Sequence, residues 1–229
     1  MVFAAWFYPG GTWEEPARVG HAFWGNFWCD LLRAQGLNGR PNPVASELAT
    51  VGMVAFSITL LGHWTVLAQR LGPQRMRRWV FGLGWFGSLG VVVLALTPSD
   101  RFPALHAAAV VSAGSSLIVA LVLGGLGVWR RAADRRWAVA LAFGAIALAL
   151  LNLVQYARQV YGGAAYAVWL PGIQKAATLC FLAWVFSIGW ERRRSALPVG
   201  AAPPHVTSGG ESKSVPGAAG QHSTSRLPD

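Results

Sequence analysis

Five apolar stretches, each about long enough to cross a bilayer, alternate with clusters of arginine along this chain. Backbone N–H and C=O groups in hydrocarbon must find partners inside the protein, so continuous apolar segments of this length become helices. The stretches run from about Leu48 to Ala68, Trp79 to Leu96, His106 to Trp129, Trp137 to Tyr156 and Gly172 to Trp190. Each is near the roughly 20 residues a helix needs to span. The clusters are Arg75/Arg77/Arg78, Arg130/Arg131/Arg135/Arg136 and Arg192/Arg193/Arg194, edged by Trp79, Trp129, Trp137 and Trp190. If the spans alternate in direction, all three clusters fall on one side, which is expected to be the cytoplasm. The opposite segments, 9–46, 97–105 and 157–171, hold only Arg18, Arg33, Arg40, Arg101 and Arg158 as basic residues.

Charged residues make up 12% of the chain and hydrophobic ones 54%, whereas a soluble domain carries about 25% charged residues. A surface that mostly faces lipid accounts for the difference. The net charge of +10 does not point to nucleic acid. The arginines are mostly confined to loops between spans, where anionic headgroups are the simpler partner. Cys29 and Cys180 are expected at different depths and therefore unpaired. Neither belongs to a metal-ligand spacing, and no metal or cofactor is expected.

The expected fold is therefore all-α, a polytopic helix bundle over residues 1–194 with five complete spans. Residues 195–229 are rich in Gly, Pro, Ser and Ala, a composition that buries too little surface to offset chain entropy. They are expected to form a disordered cytoplasmic tail. Met1–Tyr8 is apolar but too short to span. It reads as the remainder of a truncated first span, which would make six, rather than as an interfacial stub. No basic residue precedes it, so no cleavable signal peptide is expected. In the long segment that follows, Ala22–Ala34 reads as an interfacial helix. Phe23, Trp24, Phe27, Trp28, Leu31 and Leu32 fall on one stripe at helical spacing, and Asn26, Asp30 and Arg33 on the other.

Several patterns invite a chemical reading. Gly82-Leu83-Gly84-Trp85-Phe86-Gly87 matches G-x-G-x-x-G, but it lies inside an apolar span with no strand before it. Close helix packing is the better use of those glycines. Ala108, Ser112, Ser116, Ala120 and Gly124 recur every four residues as a possible helix–helix partner face. His106, the nearest base, is turned roughly 120° from Ser112 around the helix, which leaves that serine without an activating partner. His63, at membrane depth, reads as a neutral imidazole bonded to a neighbour. The outer face collects His21, Asn26, Asp30, Glu47, Asp100, His106, Gln155, Gln174 and Lys175. Of these, Asn26, Asp30, Asp100, His106 and Lys175 are the candidate ligand-binding residues, and Lys175 is expected to pair with an acid or to snorkel.

Tyr8-Pro9-Gly10-Gly11-Thr12, Asn26-Phe27-Trp28-Cys29-Asp30-Leu31-Leu32, Asn38-Gly39, Asn42 and Thr97-Pro98-Ser99-Asp100 with His106 carry a resemblance. The chain resembles the bacterial and archaeal membrane family known as domain of unknown function 998, allied to the DRAM-like group of six-span proteins. The likeness covers roughly residues 4–190. The family pattern has serine where this chain has Cys29, and a complete helix before Tyr8 that this chain lacks. The resemblance implies a six-helix bundle in a bacterial inner membrane and supplies no activity.

The leading functional expectation is a non-enzymatic, multi-pass membrane protein. Its outward polar cap would bind a lipid headgroup, a small ligand or a partner, with membrane lipids around it. A lipid-modifying hydrolase using Asp30, Asp100 and His106 is the alternative; a zinc version would need three protein ligands plus water, and the histidines are too few and too scattered for it. A small-solute transporter ranks last, because no proline interrupts a span.

Overall fold

The computed structural model describes residues 1–130 and 136–196. Among these it is all-helical, with a short α1 (Val2–Trp6) and five long helices: α2 (Pro43–Gln69), α3 (Gln74–Leu96), α4 (Pro103–Trp129), α5 (Arg136–Gly162) and α6 (Leu170–Ala196). Each of the five is long and apolar enough to cross a membrane. The chain is a multi-pass membrane protein. The expected tail begins at 195, but α6 runs on to Ala196; the rest of it, and positions 131–135 of the second arginine cluster, lie outside the described residues.

Proline sets the starts of α2, α3 and α4 and follows the end of α3. Pro43 and Pro103 open α2 and α4 in the first turn, where a missing N–H costs nothing. These starts lie several residues before the apolar runs do. Pro73 precedes α3, and Thr97-Pro98 follows its end, since a residue before proline disfavours helix. The five spans alternate in direction. Asn42, Thr97, Phe102, Gly162 and Leu170 thus meet at one end, the cap end, and Gln69, Gln74, Trp129 and Arg136 at the other, the arginine end.

The main core is one cluster that includes Leu60, Trp64, Leu67, Val80, Ala120, Leu121, Ala142 and Trp184. Trp64 and Trp184 are fully buried at its centre. Two of the three glycines of the G-x-G-x-x-G match, Gly84 and Gly87, make room for it, as expected of packing. A Cβ on Gly84 would sit 2.3 Å from Trp64 Cγ, and one on Gly87 2.5 Å from Leu117 Cγ, while Gly82 faces open space. The small-residue line on α4 divides. Ala120 and Gly124 are buried, but Ala108 and Ser112 are exposed. A four-residue repeat advances 400° per step, so over four steps it drifts about 160° around the helix. The face packed on α3 instead includes Ala113, against which Gly87 and Gly90 close.

A smaller cluster at the cap end joins Ala4, Tyr8, Leu31, Leu32, Ala45 and Ala49. Helix α1 packs there against α2, with Val2, Phe3 and Trp6 left exposed. His63 lies on α2 against the rings of Trp64, Phe181 and Trp184. Its Nε2 has no hydrogen-bond partner, contrary to the bonded imidazole expected.

Candidate functional site

Residues 9–42 fold over the cap end rather than forming a regular interfacial helix. Two side chains decide this. Asn26 Oδ1 accepts the Ala22 N–H at 2.9 Å, and Asp30 Oδ2 accepts the Phe27 N–H at 2.8 Å. Short polar side chains that capture nearby N–H groups compete with helical bonding. The helix expected over Ala22–Ala34 is thus shortened to a turn at Phe23–Gly25 and a 3₁₀ helix at Trp28–Leu32. The faces are also redistributed. Asn26 and Asp30 are 0% and 4% exposed, whereas Phe23 and Trp24 are 43% and 64% exposed.

Two glycines frame the cap. Gly10 and Gly11 have φ of 128° and 87°, values that favour glycine. A Cβ on Gly11 would lie 2.3 Å from the Asn38 backbone nitrogen. That closeness lets the Asn38 N–H donate to the Gly10 carbonyl, and Asn26 Nδ2 donate to the Gly11 carbonyl at 2.8 Å. Asn38 Nδ2 donates to the Pro9 carbonyl, and the Leu37 N–H to the Tyr8 hydroxyl. Asn42 Nδ2 ties down the carbonyls of Leu31 and Arg33.

Lys175 closes the cap from the other end of the chain. It lies in the second turn of α6 and is fully buried. Its Nζ donates to the Asn26 carbonyl and sits 4.8 Å from the Trp28 ring centroid and 5.2 Å from that of Phe23. Next to it, Gln174 Oε1 accepts the Trp28 N–H at 2.9 Å. The pairing expected between Lys175 and an acid is not made. The only ion pair among the described residues is Arg18–Glu15 at 3.4 Å.

Burial sets the electrostatics. Asp30 is pushed up to about 6, mainly by desolvation, against the lowering effects of the Phe27 N–H, Asn26 and nearby cations. His21, stacked on Trp28, is held down to about 4 by burial and then by the charge of Lys175. The Cys29 thiol is driven up to about 12 by burial and Asp30, so it is no thiolate at neutral pH. Three buried polar atoms in the cap have no protein partner: His21 Nε2, Asn42 Oδ1 and the Tyr166 hydroxyl.

Three of the five candidate residues share one network, and the other two make separate contacts. Asn26, Asp30 and Lys175 are brought together. Asp100 is exposed in the α3–α4 turn and accepts the Gln35 N–H at 3.1 Å. Beside it, Arg33 donates to Ser99 Oγ. His106 is buried at the start of α4, with Nδ1 2.7 Å from the Thr97 carbonyl. A hydrolase needs its groups around one bond, and this division gives that reading no support. No group of three His, Cys, Asp or Glu that could hold a metal occurs among the described residues.

Phe23 and Trp28 as the walls around Lys175 were not visible beforehand, since the apolar stripe assigned them to the membrane. Nothing local pairs residue 28 with residue 174. Tyr8, Asn38 and Asn42 carried a weak signal, as polar groups beside Pro or Gly where the backbone needs capture. Comparison with protein-family models, curated proteins and solved structures found no match to this chain.

Proposed function

We propose that this membrane protein works without catalysis, and that its cap recognises an acidic group at Lys175, the phosphate or carboxylate of a lipid headgroup or small ligand. One observation carries the reading: a fully buried ammonium with a single hydrogen-bond acceptor and no ion pair. Buried charges are normally paired, and two faces of aromatic π-density compensate only in part. The unpartnered Tyr166 hydroxyl and His21 Nε2 add polar atoms in the same cap. Phe23, which covers the ammonium and is itself 43% exposed, is the ring whose displacement would admit a ligand. We place the cap on the outer face and the arginine end in the cytoplasm, following the bias of basic residues. We also keep membership of the resembled family as part of this proposal.

A second reading is favoured by the internal bonding of Asn26 and Asp30: the cap is a structural clamp and Lys175 one of its pins. Lys175→Met separates the two, because removing an unpaired buried ammonium relieves a desolvation penalty that offsets the stranded Asn26 carbonyl. Binding of phosphatidic acid and oleate is read by native mass spectrometry. Recognition requires a loss of about ten-fold in retention with the thermal midpoint kept, and Lys175→Arg retaining part of it. Unchanged retention leaves only the clamp.

A further inference from the structure

A second amphipathic site lies at the arginine end, away from the cap. Thr65, Ala68 and Gln69 of α2 and Arg77, Arg78 and Phe81 of α3 line a groove of about 370 Å³. Ala68 is buried at its floor, while Gln69, Arg77 and Arg78 are exposed at its rim. Neither guanidinium is engaged by a carboxylate. Of the acids among the described residues, Glu14, Glu15, Asp30, Glu47 and Asp100 belong to the cap or to the cap-end half of α2, and Glu191 alone stands toward the arginine end, on α6. The groove opens near the first turn of α3, which no side chain caps and whose N–H groups add to the preference for an anion. On its apolar side Phe81 leads to Trp85, whose ring lies 5.1 Å away and whose Nε1 is held by Thr65 Oγ1 at 3.0 Å. Leu89 follows one turn on. All three are at least 38% exposed and share one face of α3.

This order of groups, two free guanidiniums, an amide, then an aromatic and aliphatic track toward the hydrocarbon, matches one kind of molecule. The geometry points to a binding site for an anionic glycerophospholipid. Its phosphate is received by Arg77 and Arg78 and its acyl chain lies along Phe81, Trp85 and Leu89. Arginine suits the role because its planar fork binds phosphate oxygens in pairs. The site differs from a diffuse basic surface in having a concave wall and a continuous apolar track, and it stands whether or not Lys175 binds a ligand.

The test uses the full chain in nanodiscs of equal phosphatidylglycerol and phosphatidylcholine, read by native mass spectrometry. Wild type should retain phosphatidylglycerol preferentially. Arg77→Gln with Arg78→Gln should lower that retention about five-fold, while Arg75→Gln with Arg136→Gln, removing the same charge from the same end, should change it less than about two-fold. Equal losses in the two pairs, or no preference in wild type, overturn the site. If the glutamine pair fails to fold, Arg77→Lys with Arg78→Lys keeps the charge and should still lose about two-fold through the missing fork; no loss there also overturns it. Phe81→Ala should weaken lipid retention. Stabilisation of wild type by inorganic phosphate alone, untouched by Phe81→Ala, would assign the groove to free phosphate and end the lipid proposal.

Discussion

Asn26 makes three hydrogen bonds from one side chain: it accepts from Ala22 and donates to the Gly11 carbonyl and to Asp30. Asn26→Ala strands a half-buried N–H and a buried C=O. Each stranded group costs about 1–3 kcal/mol, so a loss of about 2–6 kcal/mol is expected, measurable as lost hydrogen-exchange protection at Phe27 and Trp28. Asp30 and His21 make the cap's pH response a balance. Asp30 rises from 3.8 to about 6 on folding, so its contribution is full below 3.8 and is lost as pH climbs through 6. His21 falls from 6.5 to about 4, so its contribution is full above 6.5 and is lost as pH drops through 4. The two slopes oppose each other across the same window. Cap stability should be nearly flat there in wild type, should rise with pH in Asp30→Asn, and should fall with pH in His21→Gln. Parallel curves for all three proteins would contradict this balance.

At the scale of elements, the apolar spans were legible because a bilayer imposes length and hydropathy one segment at a time. Helix starts were less so, since Pro43 and Pro103 extend α2 and α4 beyond the apolar windows. The outer segment was misread as a regular helix because the period of Phe23, Phe27 and Leu31 fits one, while the decisive bonds from Asn26 and Asp30 to backbone N–H groups leave no trace in periodicity. Contact across long separations, such as Lys175 with Asn26, is invisible to any local pattern. The glycines of α3 were placed correctly in kind, and the structure ranks them. Gly84→Ala forces a methyl group into Trp64, and overpacking of this sort costs about 1–3 kcal/mol. Gly82→Ala meets nothing within 4 Å and should be neutral or slightly stabilising, given the helix preference for alanine. Thermal unfolding in detergent compares the two directly; equal effects would mean that Trp64 does not rest on Gly84.

Across the whole molecule, charge is sorted by end. All the described acids but Glu191 gather toward the cap, while Arg75, Arg77, Arg78, Arg130 and Arg136 lie at the opposite end. If the cap faces outward, a thiol introduced as Glu15→Cys should react with an impermeant maleimide in intact cells, and one at Arg75→Cys should not; the reverse pattern inverts the topology. Cys29 contributes little background, since its thiol is driven up to about 12. The seal between Asn26 and Lys175 also spans 149 positions of sequence, and that between Trp28 and Gln174 spans 146. A ribosome making this chain therefore releases the first loop long before its fastening exists. Until α6 is threaded, the loop is an unlatched flap, and it stays one while the chain grows by a further 149 residues.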